Sequence, residues 1–171
     1  MFGFDKRQQN GVPAGAPDAA AQPVSASVQA DLATPPRLSI VLFSGTVDKL
    51  MAASILATGA AAMGMQVELF LTTWGVVAFR KDDWRTNTRV SSDYADYGPA
   101  MRERMAAKHV SSWMDNLLGA KEIGDVHIAA CSMTMELYDL KLDDMEPIVD
   151  EITGVASFMH QAQASQATLF I

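Results

Sequence analysis

Nearly uninterrupted apolar runs at 38–43, 67–71 and 126–130, each short and followed by helix-forming sequence, constrain this chain more than any other feature. In the first run only Ser39 breaks the sequence Leu-Ser-Ile-Val-Leu-Phe, as expected of a parallel strand covered on both faces. Ser44-Gly45-Thr46 makes the turn that follows. Asp48 and Lys49 then open a helix whose Leu50, Met51, Ile55, Leu56 and many alanines are suited to burial, with Gly64 as its stop. Residues 67–71 give a second strand, and 74–79 one or two apolar helical turns. The polar stretch 80–98 keeps no period and reads as a long loop, a feature often tied to function or mobility. After Pro99, Met101, Met105, Val110, Trp113, Met114, Leu117 and Leu118 recur at helical spacing, and Gly119 sits where that helix should end. The third strand, 126–130, runs into Cys131 and a helix from Ser132. A break at 143–147, a short strand at 148–152, a helix at 155–164 and a last strand at 167–171 complete the pattern. Such alternation predicts an α/β fold: an open, mainly parallel sheet of about five strands with helices on both faces. Ligand chemistry is then expected outside the carboxyl ends of the strands.

Composition narrows the rest. With 171 residues, of which 49% are hydrophobic, the chain can form one domain with a substantial core and a tail to spare. Up to Pro35-Pro36 the sequence is rich in Ala, Gln, Ser, Gly and Pro and cannot offset the entropy of ordering. Residues 1–36 are therefore expected to be a disordered tail and 37–171 the folded domain. The tail holds no apolar run suited to a signal-peptide core, and no segment offers about eighteen strongly apolar residues for a membrane span. The net charge of −7 speaks against a nucleic-acid surface. A single cysteine forms no intramolecular disulfide, which suits the cytoplasm.

That cysteine is the leading candidate for chemistry. Cys131 ends a predicted strand, and the unpaired N–H groups of a helix opening at Ser132 would favour its thiolate. Free cysteines are also commonly inert core hydrophobes, and the residues alone leave both readings open. His127 shares the strand face of Cys131, but four residues of strand separate them by about 13 Å, so a structural role is expected for it. His109 falls on the apolar stripe of its predicted helix, and His160 carries no motif. One cysteine and three scattered histidines match no metal-ligand spacing. No metal and no cofactor are expected. Arg80, Lys81, Arg85 and Arg89 form the main basic run, which could attract an anion if its loop closed over Cys131. The turn 44–49 lacks both phosphate-loop signatures, yet with that loop it suggests an alternative: an α/β module that binds a nucleotide or small anion without covalent chemistry.

The segments His127-Ile128-Ala129-Ala130-Cys131-Ser132-Met133-Thr134-Met135, Leu71-Thr72-Thr73-Trp74-Gly75 and the ending 154–171 resemble the DsrE-like (DsrE/DsrF/DsrH) family, over nearly everything after residue 37. Among its members the chain is most similar to the soluble single-domain branch. The resemblance implies a flavodoxin-like architecture and a sulfurtransferase-type sulfur carrier. In it, Cys131 takes up sulfane sulfur as a persulfide and relays it to or from a TusA-like carrier protein. It implies homotrimers or homohexamers, with Cys131 catalytic, Ser132 and Met133 beside it as pocket residues, and Trp74 and Gly75, which match a family motif, as pocket or packing residues. The chemistry agrees, since a disulfide reductase would need a resolving cysteine that this chain does not have.

Overall fold

The computed structural model describes residues 35–171, so the tail expected over 1–36 lies, but for Pro35 and Pro36, outside the described residues. Strands β1 (Arg37–Leu42), β2 (Gln66–Leu71), β3 (Val126–Cys131), β4 (Glu151–Thr153) and β5 (Ala167–Phe170) form one sheet in the order β4-β3-β2-β1-β5. Every neighbouring pair is parallel. Leu42 lies opposite Leu71, and Cys131 opposite Thr153, so the carboxyl ends open on one edge of the sheet.

Strand order decides where the helices go. From β1 to β4 the chain steps in one direction, and right-handed crossovers put the intervening helices on one face. These include α1 (Val47–Ala62), α5 (Trp113–Ile123) and α6 (Ser132–Leu137). The return from β4 across the whole sheet to β5 carries α7 (Val155–Ala162) onto the other face. Side-chain clusters agree with this division. Ile40, Leu42, Leu69, Leu71, Ile128 and Ala130 pack with Leu50 and Ala57 of α1, Trp113 and Leu117 of α5, and Met135 of α6. On the opposite face Phe70 and Cys131 pack with Phe158 and Ala162 of α7, with Val41 against them.

Three segments depart from the sequence expectations. The stretch 80–98 holds helical turns, α3 (Asp83–Thr86) and a 3-10 helix (Ser92–Tyr97), rather than an unstructured loop. They are held by local contacts that leave no apolar period: Arg85 bridges to Asp82 at 2.8 Å and lies over the Trp84 ring. The single helix expected after Pro99 is two, α4 (Gly98–Ala107) and α5. His109 adopts φ 52°, and the Val110 N–H returns to the Met105 carbonyl at 2.9 Å, the left-handed wrap that ends a helix. Ser112 and Asp115 then form a capping box that starts α5, whose true end is at Gly124, not Gly119. The strand expected at 148–152 begins at Glu151. Ile148 and Val149 drop into the core, and the Asp150 carboxylate accepts from the Ile128 N–H at 2.8 Å. The remaining short helix, α2 (Trp74–Ala78), follows β2 as expected.

The α2 turn approaches β1 so closely that Gly75 has no room for a side chain. A Cβ there would lie 2.1 Å from the Leu42 carbonyl oxygen, which is backbone and cannot rotate away. Gly75→Ala is expected to keep the far-ultraviolet circular dichroism of the fold but cost about 1–3 kcal/mol, read as a lowered midpoint in thermal and urea melts.

Candidate functional site

Cys131 is the last residue of β3 and the N-cap of α6. Two neighbouring strands send the chain to opposite faces here: β3 leads into α6 beside the main core, while β4 leads through Gly154 into α7. A crevice opens where connections diverge in this way, outside the carboxyl ends of the strands. It is a pocket of about 540 Å³, with Cys131, Phe70 and Phe158 at its base and Ser132, Met133, Val155 and Met159 around it. Cys131 is 7% exposed. Phe70 and Phe158 stack with centroids 4.6 Å apart and wall the thiol from below. Val41, Thr72, Gly154 and Ala156 complete the lining, which among the described residues holds no charged side chain.

The turn after β2 is tied to the same helix. Thr73 sits at φ 50°, uncommon for a β-branched residue, and its N–H donates to Thr134 Oγ1 of α6 at 3.1 Å. Thr134 is itself buried. The helix that carries Ser132 and Met133 and the turn that carries Trp74 are thereby held as a unit.

Ser132 and Met133 line the Cys131 pocket; Trp74 and Gly75 do not. Gly75 is buried against β1, while Trp74 is half-exposed on a separate cleft of about 330 Å³, shared with Ser44, Thr46 and Arg89. Of the basic run, Arg89 reaches that side as well. The Asn87 side chain donates to the Gly45 carbonyl at 2.8 Å, and the Arg89 carbonyl accepts from the Val47 N–H at 2.7 Å. Asp48, in the first turn of α1, accepts from the Ser91 hydroxyl at 2.6 Å. Arg80, Lys81, Arg85 and Arg89 are absent from the lining around Cys131. So is His109, which is exposed in the break between α4 and α5. Sequence reading missed Phe70, Phe158 and Met159. The face alternation of β2 and the helical spacing of 155–162 offered a signal for them, but not which helix would cover that face.

Further along the same sheet face, His127 Nδ1 is hydrogen-bonded to Glu68 Oε1 at 2.7 Å, and Glu151 stands on its other side. The ring is engaged with carboxylates rather than with the thiol. Burial pushes the Glu68 carboxyl above its ordinary value, against the lowering effect of the His127 hydrogen bond. Among the described residues no group of three or more His, Cys, Asp or Glu is placed to hold a metal ion, and no helix is long and apolar enough to cross a membrane.

The model of the DsrE/DsrF/DrsH-like family matches residues 34–101 and 90–170, the second segment containing β3 and Cys131. The chain belongs to this family. It is 32% identical over 155 residues to the uncharacterized protein YrkE of Bacillus subtilis, with 79% of this chain and 96% of YrkE covered. It is 25% identical over 158 residues to the sulfur carrier protein DsrE2 of Allochromatium vinosum, covering 79% and 98% of the two chains. A solved protein of unknown function from Methanobacterium thermoautotrophicum, MTH1491, superposes with a TM-score of 0.49 at 14% identity, over 78% of this chain and 98% of that one.

An acid whose value is raised on folding stabilises the fold fully below its unfolded value, and that contribution is lost as pH rises through the folded one. Glu68→Gln is therefore expected to flatten the fall in stability just above the ordinary carboxylate range. Urea melts at stepped pH would show it; an unchanged slope would assign the fall to other groups.

Proposed function

We propose that the protein is a cysteine-persulfide sulfur carrier, relaying sulfane sulfur to or from a TusA-like carrier protein in cytoplasmic sulfur metabolism. The observation that carries this reading is a solitary thiol at the base of an open, uncharged pocket between two diverging strand ends. Membership of the DsrE/DsrF/DrsH-like family and the likeness to a sulfur carrier of Allochromatium vinosum support it.

In the loading step the Cys131 thiolate attacks the terminal sulfur of a donor persulfide R–S–SH. A Cys131 Sγ–S bond forms, the donor S–S bond breaks, and the electron pair leaves with R–S⁻. No net oxidation occurs, and the reverse step discharges the sulfur to an acceptor thiolate. With one cysteine in the chain, the persulfide has no internal thiol to close on. Phe70 and Phe158 exclude water from below, Thr134 braces the helix that carries Ser132 and Met133, and these two residues flank the transferred atom. Because the thiol is buried, the partner must project its sulfur into the pocket. Self-association as a homotrimer or homohexamer belongs to the same proposal, with exposed Tyr94, Tyr97 and Val110 as apolar surface available for it.

Wild-type protein incubated with a persulfide-loaded TusA-like carrier is expected to gain sulfur at Cys131 in intact-mass and peptide spectra. Cys131→Ala should gain none while melting within about 1 kcal/mol of wild type. A wild-type Cys131 that stays unmodified beside a demonstrably loaded carrier would sink the proposal.

A further inference from the structure

We infer that the Cys131 pocket admits sulfur on apolar donors that can arrive uncharged, the protonated form of organic persulfides and of a persulfide on an apolar protein tip, and rejects free sulfur anions such as thiosulfate and inorganic polysulfide. This inference rests on the sulfur-carrier reading and specifies its substrate class.

The lining decides it. A thiosulfate dianion reaching Cys131 would exchange its hydration for the rings of Phe70 and Phe158 and the side chains of Val155 and Met159, with no cation among the described lining residues to compensate. The hydroxyls of Thr72 and Ser132 are the polar side chains present besides the thiol. Further down the same sheet face the ionisable groups are Glu68, His127, Glu151 and Arg37; the Arg37 guanidinium is taken up by the Gln66 side chain and the Gln161 carbonyl beside Glu68, and none of the four reaches the pocket lining. Of the basic run, Arg89 stands on the other cleft beside Trp74, and Arg80, Lys81 and Arg85 are likewise absent from the lining around Cys131.

The rim points the same way. Met133, Val155 and Met159 are each more than half exposed around the opening. Beyond Val41, Phe170 is 71% exposed and stacks on Phe43 at 5.7 Å. Exposed apolar surface of this kind is normally covered by another molecule, and flexible thioethers adapt to apolar partners of varied shape. A donor with an apolar sheath gains this contact as its sulfur descends; a hydrated inorganic anion gains none of it.

Alkylation separates the pocket's charge preference from sulfur transfer. The rates at which neutral iodoacetamide and anionic iodoacetate modify Cys131 in the full chain are compared with those of N-acetylcysteine amide in water. The ratio of neutral to anionic rate is expected to be about tenfold higher for Cys131, and to persist near 1 M salt, where long-range repulsion by the acidic chain is screened. Met159→Lys, and independently Val155→Lys, should bring the ratio back toward that of the free thiol; both positions are exposed enough to accept lysine. In the loading assay, benzyl hydropersulfide should deliver sulfur to Cys131 and thiosulfate should not. A ratio equal to that of the free thiol, a thiol that reacts with neither reagent, or loading by thiosulfate overturns the inference. Strong discrimination without sulfur gain from either benzyl hydropersulfide or a loaded carrier overturns the carrier reading while leaving the pocket's preference standing.

Discussion

The direction in which strands are added controls everything at this site. Four strands laid down in one direction commit their crossovers to one face of the sheet, and the final return to β5 brings the eight-residue helix α7 to the other. A parallel sheet normally needs cover on both faces, because its strands are apolar on both. Here one face has a continuous core built by α1, α5 and α6, while the other has the small cluster of Phe70, Cys131, Phe158 and Ala162. The pocket is the part of that second face which α7 is too short to close. Its location at the β3/β4 divergence follows from the same reversal, since the chain leaves those two strands toward opposite faces.

That incomplete cover explains why the thiol's surroundings are rigid below and open above. The stacked Phe70 and Phe158 fix the base, and Thr134 ties the Cys131 helix to a turn kept at a conformation β-branched residues rarely adopt. Strain of this kind costs about 1–3 kcal/mol and persists only where its surroundings hold it. The hydrogen bond from Thr73 to Thr134, together with the fit of Gly75 under Leu42, supplies that hold. Trp74 and Gly75 thereby serve the Cys131 helix through backbone placement, although neither reaches its pocket.

Sheet and main core were legible because their signals are local. Unbroken apolar runs fix buried parallel strands, and the alanine-rich α1 is recognisable without reference to its neighbours. The break at His109 was hidden because apolar spacing continues across it: Met105, Val110 and Trp113 fit one stripe, although Ser112 and Asp115 carried a capping signature. Glu151 to Thr153 was displaced from the expected strand because Ile148 and Val149 are apolar for the core rather than for the sheet. Cys131 at a strand end was readable from the run before it. Its neighbours Phe70 and Phe158 were not, since their meeting depends on α7 crossing beneath β2, a relation between segments far apart in the chain.

Separation of charge from the thiol has a further consequence for how one cysteine can be held ready without being spent. An exposed thiol beside arginines would meet every sulfur anion and oxidant in solution, whereas Cys131 is buried in an uncharged hollow. Arg85 is instead paired with Asp82 in the helical turns, and Arg89 stands on the separate cleft beside α1. Access to Cys131 thus depends on apolar contact, which small inorganic species cannot make and a partner's surface can. In a chain with no second thiol to recapture a transferred atom, selectivity at the opening is what would keep sulfur passing between chosen partners.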